Sequence, residues 1–155
     1  MDAHSEARLQ LIFPRLADAV RKMHDMLLGE GISIIVVQGL RTIAEQQALY
    51  EQGRSKPGKI VTNAPGGHSW HNFGLAVDCA VENPDGSIDW NANHPAWKRM
   101  KTVGVSLGLT SGANWVRIVD APHFQITGRF PEGAPNDEAR QLAQESLENL
   151  WKEIE

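Results

Sequence analysis

A single cysteine, Cys79, stands among 155 residues, so no intramolecular disulfide can form and cysteine-rich zinc modules are excluded. Basic residues are not in excess. Fifteen Lys and Arg stand against nineteen Asp and Glu, for a formal net charge of −4, whereas a nucleic-acid binder would carry a basic patch or stripe. No apolar run approaches the ~20 residues that cross a bilayer. The opening residues Met1-Asp2-Ala3-His4-Ser5-Glu6 lack the basic and apolar regions of a signal peptide. The chain is therefore expected to be made in a cytoplasm, with no membrane insertion. The His-Glu-x-x-His signature of many metal-dependent hydrolases is also missing. With no repeat, low-complexity tract or interdomain linker, and with 41% apolar and 22% charged residues, residues 1–155 are expected to form one packed domain.

What is present reads as mixed helix and strand. A short amphipathic piece, residues 5–13, precedes a helix opened by Pro14. In that helix Leu16, Val20, Met23 and Leu27 recur at core-facing spacing. Residues 32–37 (ISIIVV) form a β-branched apolar run that predicts a buried strand. Thr42 and Glu45 have capping-box spacing, so a helix is expected over 43–52. Residues 54–67 read as a loop. Residues 75–81 read as a strand that turns at Asn83-Pro84-Asp85-Gly86 and pairs back through 88–90. Pro95 opens a further helix. Residues 116–119 and 123–127 are strand candidates. A single C-terminal helix is expected from about 137, with Leu142, Leu147, Leu150, Trp151 and Ile154 along one side. Without a regular βαβ rhythm, the expected class is α+β, with a small central antiparallel sheet packed by helices.

Two stretches concentrate chemistry: GGHSWHNFGLAVDCA (66–80) and WVRIVDAPHFQI (115–126). His71 and Asp78 are seven residues apart, which on one unbroken strand would set them on opposite faces. Gly74 lies between them and permits a bend, so a His on a turn and an Asp on the next strand could converge. Asp78 shares its strand face with Ala76 and Ala80, like a carboxylate on a cavity floor. Two His and one carboxylate are a common catalytic zinc set, with a fourth position left for water. A further carboxylate nearby can take that water's proton. His71, Asp78 and His123 could be the ligands and Asp120 the base. The competing reading is a set of unrelated polar residues, each satisfied locally. Cys79 alternates away from Asp78 and reads as buried filler, and His94 before Pro95 reads as a helix-start residue.

The segment Ser69-Trp70-His71-Asn72-Phe73-Gly74-Leu75-Ala76-Val77-Asp78 resembles the S-x-H-x-x-G-x-A-x-D motif of the zinc D-alanyl-D-alanine carboxypeptidase family. That family includes the vancomycin-resistance peptidases and the phage L-alanyl-D-glutamate endolysins. Asp120-Ala121-Pro122-His123 is similar to its acid-x-x-His motif, in the Asp form of the endolysin branch. Gln38-Gly39-Leu40-Arg41-Thr42, with Gln46, Leu49 and Tyr50, is similar to a third family segment. The family's Gly-Gly-Asp-Trp before the base is replaced by Gly112-Ala113-Asn114-Trp115.

The resemblance implies one zinc ion held by His71, Asp78 and His123 at the edge of the sheet in an open cleft. Asp120 would be the general base, and Arg41 would stabilise the oxyanion. Ser69, Gln46, His68 and Trp115 are expected around the substrate, Gln46 acting from behind the cleft. The implied activity is hydrolysis of the L-Ala–D-Glu bond of peptidoglycan stem peptides. The alternatives are a D-Ala-D-Ala carboxypeptidase or dipeptidase, or a zinc-stabilised module without catalysis. An endolysin would be a monomer, released to the wall through holes made by a pore-forming partner if phage-derived, with no separate wall-binding domain.

Overall fold

A computed structural model describes all 155 residues. In chain order the elements are α1 (Ala3–Leu9), α2 (Pro14–Leu28), β1 (Ser33–Gln38), α3 (Ile43–Glu51), β2 (Ala76–Glu82) and β3 (Ile88–Asp89). They continue with α4 (Pro95–Ser106), β4 (Thr110–Ser111), β5 (His123–Gln125), α5 (Asp137–Glu145) and α6 (Leu147–Trp151). Single 3-10 turns occupy Trp70–Phe73 and Gly112–Asn114. No helix is long and apolar enough to cross a membrane. The class is α+β, with an antiparallel sheet, as the element pattern predicts.

Contacts divide the chain into two compact units. The first comprises Met1–Gly39 and Ala76–Ile126 and contains the whole sheet. Its strand order is β1-β2-β5-β4, with β3 also paired to β2. The expected apolar face of α2 is buried through Leu16, Val20, Met23 and Leu27. Each such side chain contributes roughly 1.5–3 kcal/mol by leaving water. On β1 only Ile34 and Val36 are fully buried, because the strand shows one face to the core and not both. On β5, Phe124 points into the core, where Gly104 of α4 leaves it room: a Cβ there would lie 2.5 Å from Phe124 Cε1.

The second unit comprises Leu40–Leu75 and Thr127–Glu155. Thr42 and Glu45 form the expected capping box at the start of α3. Two indoles pin the 66–74 segment to the C-terminal part. Trp70 Nε1 donates to Pro131 O at 3.0 Å, and Trp151 Nε1 donates to Phe73 O at 2.8 Å.

Two expectations are corrected. Residues 116–119 are not a strand; Val116 is 95% exposed, and Ile118 and Val119 are exposed with it. Their β-branched run has the propensity, but the pairing beside β5 is taken by Thr110 and Ser111. Gly112 O accepts from both Trp115 N and Asp120 N, at 3.2 and 2.9 Å, which closes the segment into a loop. The single C-terminal helix is two helices. Ser146 is extended, at φ −162° and ψ 154°, and its hydroxyl caps α6 by accepting from Asn149 N. Serine favours that cap role over a helix interior, so the backbone breaks within the apolar stretch.

Candidate metal centre

The first unit supplies two of the expected ligands. Asp78 on β2 and His123 on β5 are register partners, which brings their Cβ atoms within roughly 5 Å. His123 Nδ1 stands 3.5 Å from Asp78 Oδ1. That separation is close to the roughly 3.3 Å edge of a tetrahedron built on ~2.0 Å zinc bonds. Asp120, three residues before His123, places Oδ2 at 3.7 Å from the same Nδ1. His123 is buried, whereas the Asp120 side chain is 43% exposed and reaches solvent. The Trp115 ring lies 4.9 Å from the imidazole, tilted by 44°, and walls that side. Burial pushes the His123 pKa down. The charged Asp78 beside it, with Gln125 and Asp120, outweighs burial, and the pKa ends above its ordinary value.

The backbone holding Asp120 depends on Gly112. A Cβ at Gly112 would lie 2.3 Å from Asp120 O and 3.0 Å from the Cβ atoms of Asp120 and His123. No side chain fits without moving that turn. Cys79 N donates to Pro122 O at 2.8 Å and fixes the other side. Gly112→Ala is therefore expected to lower stability by about 1–3 kcal/mol. In urea the midpoint should fall while the m-value stays unchanged.

His71 and Arg41 lie in the second unit. His71 lies in the 3-10 turn that Ser69 caps, its hydroxyl accepting from His71 N at 3.3 Å. Gly74 ends the turn at φ 71°, the bend its position between His71 and Asp78 predicts. Arg41 N donates to His71 O at 2.9 Å, so the two residues are tied through the backbone. The Arg41 guanidinium donates from Nη1 to Gln46 Oε1 at 2.7 Å. Gln46 is 0% exposed, and its Nε2 donates to Ala64 O at 2.8 Å. Gln46 has no surface to offer a substrate and holds the Arg41 guanidinium instead. His68 is exposed and turns its Nδ1 towards Arg140 Nη1 at 3.5 Å.

His71, Asp78 and His123 each offer a ligand atom of the kind that could hold a metal ion. Two imidazoles and one carboxylate suit a borderline cation such as zinc and leave a fourth position for water. Other side reactions are closed off. Cys79 is buried, and burial pushes its thiol pKa well up, so it is no nucleophile. His94 caps α4, its Nδ1 accepting from Ala96 N at 3.1 Å, as its place before Pro95 predicts.

The sequence reading missed three residues that shape the site. Gly112 had a signal only in hindsight, as the glycine facing a tight turn. Asn72 ties the 66–72 loop to Arg41: its Oδ1 accepts from Gly67 N and Ser69 N, and its Nδ2 donates to Arg41 O at 3.0 Å. Gln125 sits two residues beyond His123 on one strand, and strand parity puts both side chains on one face.

A family model described as VanY: D-alanyl-D-alanine carboxypeptidase matches residues 10–138. The peptidoglycan L-alanyl-D-glutamate endopeptidase CwlK of Bacillus subtilis is 39% identical over 105 residues, which cover 63% of each chain. The L-alanyl-D-glutamate peptidase of Listeria phage A118 is 29% identical over 131 residues, 77% of this chain and 43% of the relative. The chain thus spans less than two thirds of the length of either curated relative. The Serratia marcescens L-Ala D-Glu endopeptidase ChiX shares the fold, with a TM-score of 0.60 at 24% identity over 81% of this chain and 87% of ChiX. Matched through both compact units and across the 69–78 and 120–123 motifs, the chain belongs to the VanY D-alanyl-D-alanine carboxypeptidase family.

Proposed function

We propose that this protein is a zinc-dependent peptidase that hydrolyses the L-Ala–D-Glu bond in the stem peptides of bacterial peptidoglycan. The observation that carries the reading is the convergence of Asp78 Oδ1 and Asp120 Oδ2 on His123 Nδ1. In this reading one carboxylate binds and the other, more exposed, moves a proton. His71, Asp78 and His123 would hold the ion. Bound zinc would supply Lewis acidity, polarising a carbonyl and lowering the pKa of water to about 7.

The chain's own groups do the rest. Asp120 takes the proton of the attacking water and returns it to the leaving amine. Arg41, its guanidinium held by Gln46, meets the negative charge that develops on the scissile carbonyl oxygen. Ser69 sets the turn that carries His71, and Trp115 lines the imidazole side where a substrate would lie. Residues 1–155 act as one catalytic domain, a reading supported by a family match that runs through both compact units.

The choice of bond is supported by the curated relatives, which are named for the L-alanyl-D-glutamate linkage. The phage relative supports an endolysin role, in which a monomer reaches the wall after release through a pore-forming partner's holes. The family description favours a second reading, a D-Ala-D-Ala carboxypeptidase or dipeptidase. Digestion of purified peptidoglycan, with and without a chelator, separates them. New N-terminal D-Glu that disappears with chelator is the expected product. Released D-Ala would move the protein to the second reading, and chelator-resistant cleavage would remove the metal from the mechanism.

A further inference from the structure

The structure assigns Gln125 as a positioning residue that fixes which nitrogen of His123 is offered to the metal. His123 Nε2 stands 2.7 Å from Gln125 Oε1, and both side chains are buried, Gln125 to 1% exposure. An amide oxygen only accepts, so Nε2 must carry hydrogen. A neutral imidazole has one such hydrogen, which leaves Nδ1 with its lone pair. Nδ1 is the atom that faces Asp78 and Asp120, at 3.5 and 3.7 Å.

The assignment matters because the rest of the site pulls the other way. Two carboxylates lie on the Nδ1 side, and each would accept a proton placed there. Alone they favour the Nδ1–H tautomer, which has no lone pair for a metal. Gln125 is the group that opposes them, by rewarding hydrogen on Nε2 inside a buried setting where an unmet amide oxygen is costly. The strand makes the contact inevitable. His123 and Gln125 share one face of β5, while Phe124 anchors the opposite face beside Gly104. Gln125 neither binds the ion nor touches a substrate; it acts through His123.

The inference rests on His123 being a metal ligand, and its test can tell the two apart. Histidine ¹⁵N correlation spectra of the metal-free protein, recorded at alkaline pH where the ring is neutral, read the tautomer directly. The expected result is Nε2–H in the natural protein and in Gln125→Glu, whose carboxylate accepts in the same place. Gln125→Leu should shift His123 to Nδ1–H. In competition with a chromogenic chelator, Gln125→Leu should bind zinc about 10–100-fold more weakly, and Gln125→Glu should restore the affinity. An Nδ1–H ring in the natural protein would overturn the assignment. So would a folded Gln125→Leu protein with unchanged tautomer and unchanged zinc affinity. A natural protein that shows Nε2–H yet takes up no zinc would strike the metal reading itself, and with it the purpose given to Gln125.

Discussion

Asp120→Ala is expected to keep bound zinc and lose turnover by about 100- to 10,000-fold, the range that general acid–base groups contribute. The side chain can be removed without removing the turn. Asp120 is held by its backbone, with N donating to Gly112 O at 2.9 Å and O accepting from His123 N at 3.1 Å. Gly112, Pro122 and the β2–β5 pairing keep His123 in place whether or not residue 120 carries a carboxylate. Asp120→Asn serves as the shape-preserving control, because an amide cannot take the water's proton. Zinc content measured beside the cleavage rate on peptidoglycan gives the answer. A variant that holds zinc and cleaves at the natural rate would show that Asp120 is not the base.

How much of this was legible in the sequence follows from which forces are local. The segment 69–78 was readable because its geometry is written in single residues. Ser69 caps, Gly74 takes the positive φ, and strand parity then fixes the face of Asp78. The helix starts at Thr42, Pro95 and Asn136 were readable for the same reason, since each cap is made by the residue itself or its near neighbour. Residues 116–119 misled because strand structure needs a partner, and propensity says nothing about where the partner is. The two-residue strand that does pair, Thr110–Ser111, is too short to carry a period. Ser146 misled because Leu147, Leu150 and Ile154 keep helical spacing beyond the break, and the capping role of one serine shows only in the backbone. Gln46 and Gln125 gave a signal of polarity in apolar surroundings, and only tertiary packing shows that one serves Arg41 and the other His123.

Asp78→Asn should cost both metal and activity, and so separate a ligand from a base. The substitution keeps the size of the side chain and the register with His123 on β5, so the sheet has no reason to rearrange. What it removes is the negative charge of the three-residue set. A neutral amide oxygen is a poorer donor to zinc than a carboxylate. The fall in zinc affinity should exceed the 10–100-fold that a group merely supporting a ligand costs, and His71→Ala should behave alike. The contrast with Asp120→Ala lies in rescue. Excess zinc should restore part of the activity of Asp78→Asn by mass action, whereas no zinc concentration can return a missing base. Cleavage rates followed across a zinc titration for the two variants decide it. If Asp78→Asn binds zinc as tightly as the natural protein, Asp78 is outside the ligand set, and the pairing of β2 with β5 holds His123 for another purpose.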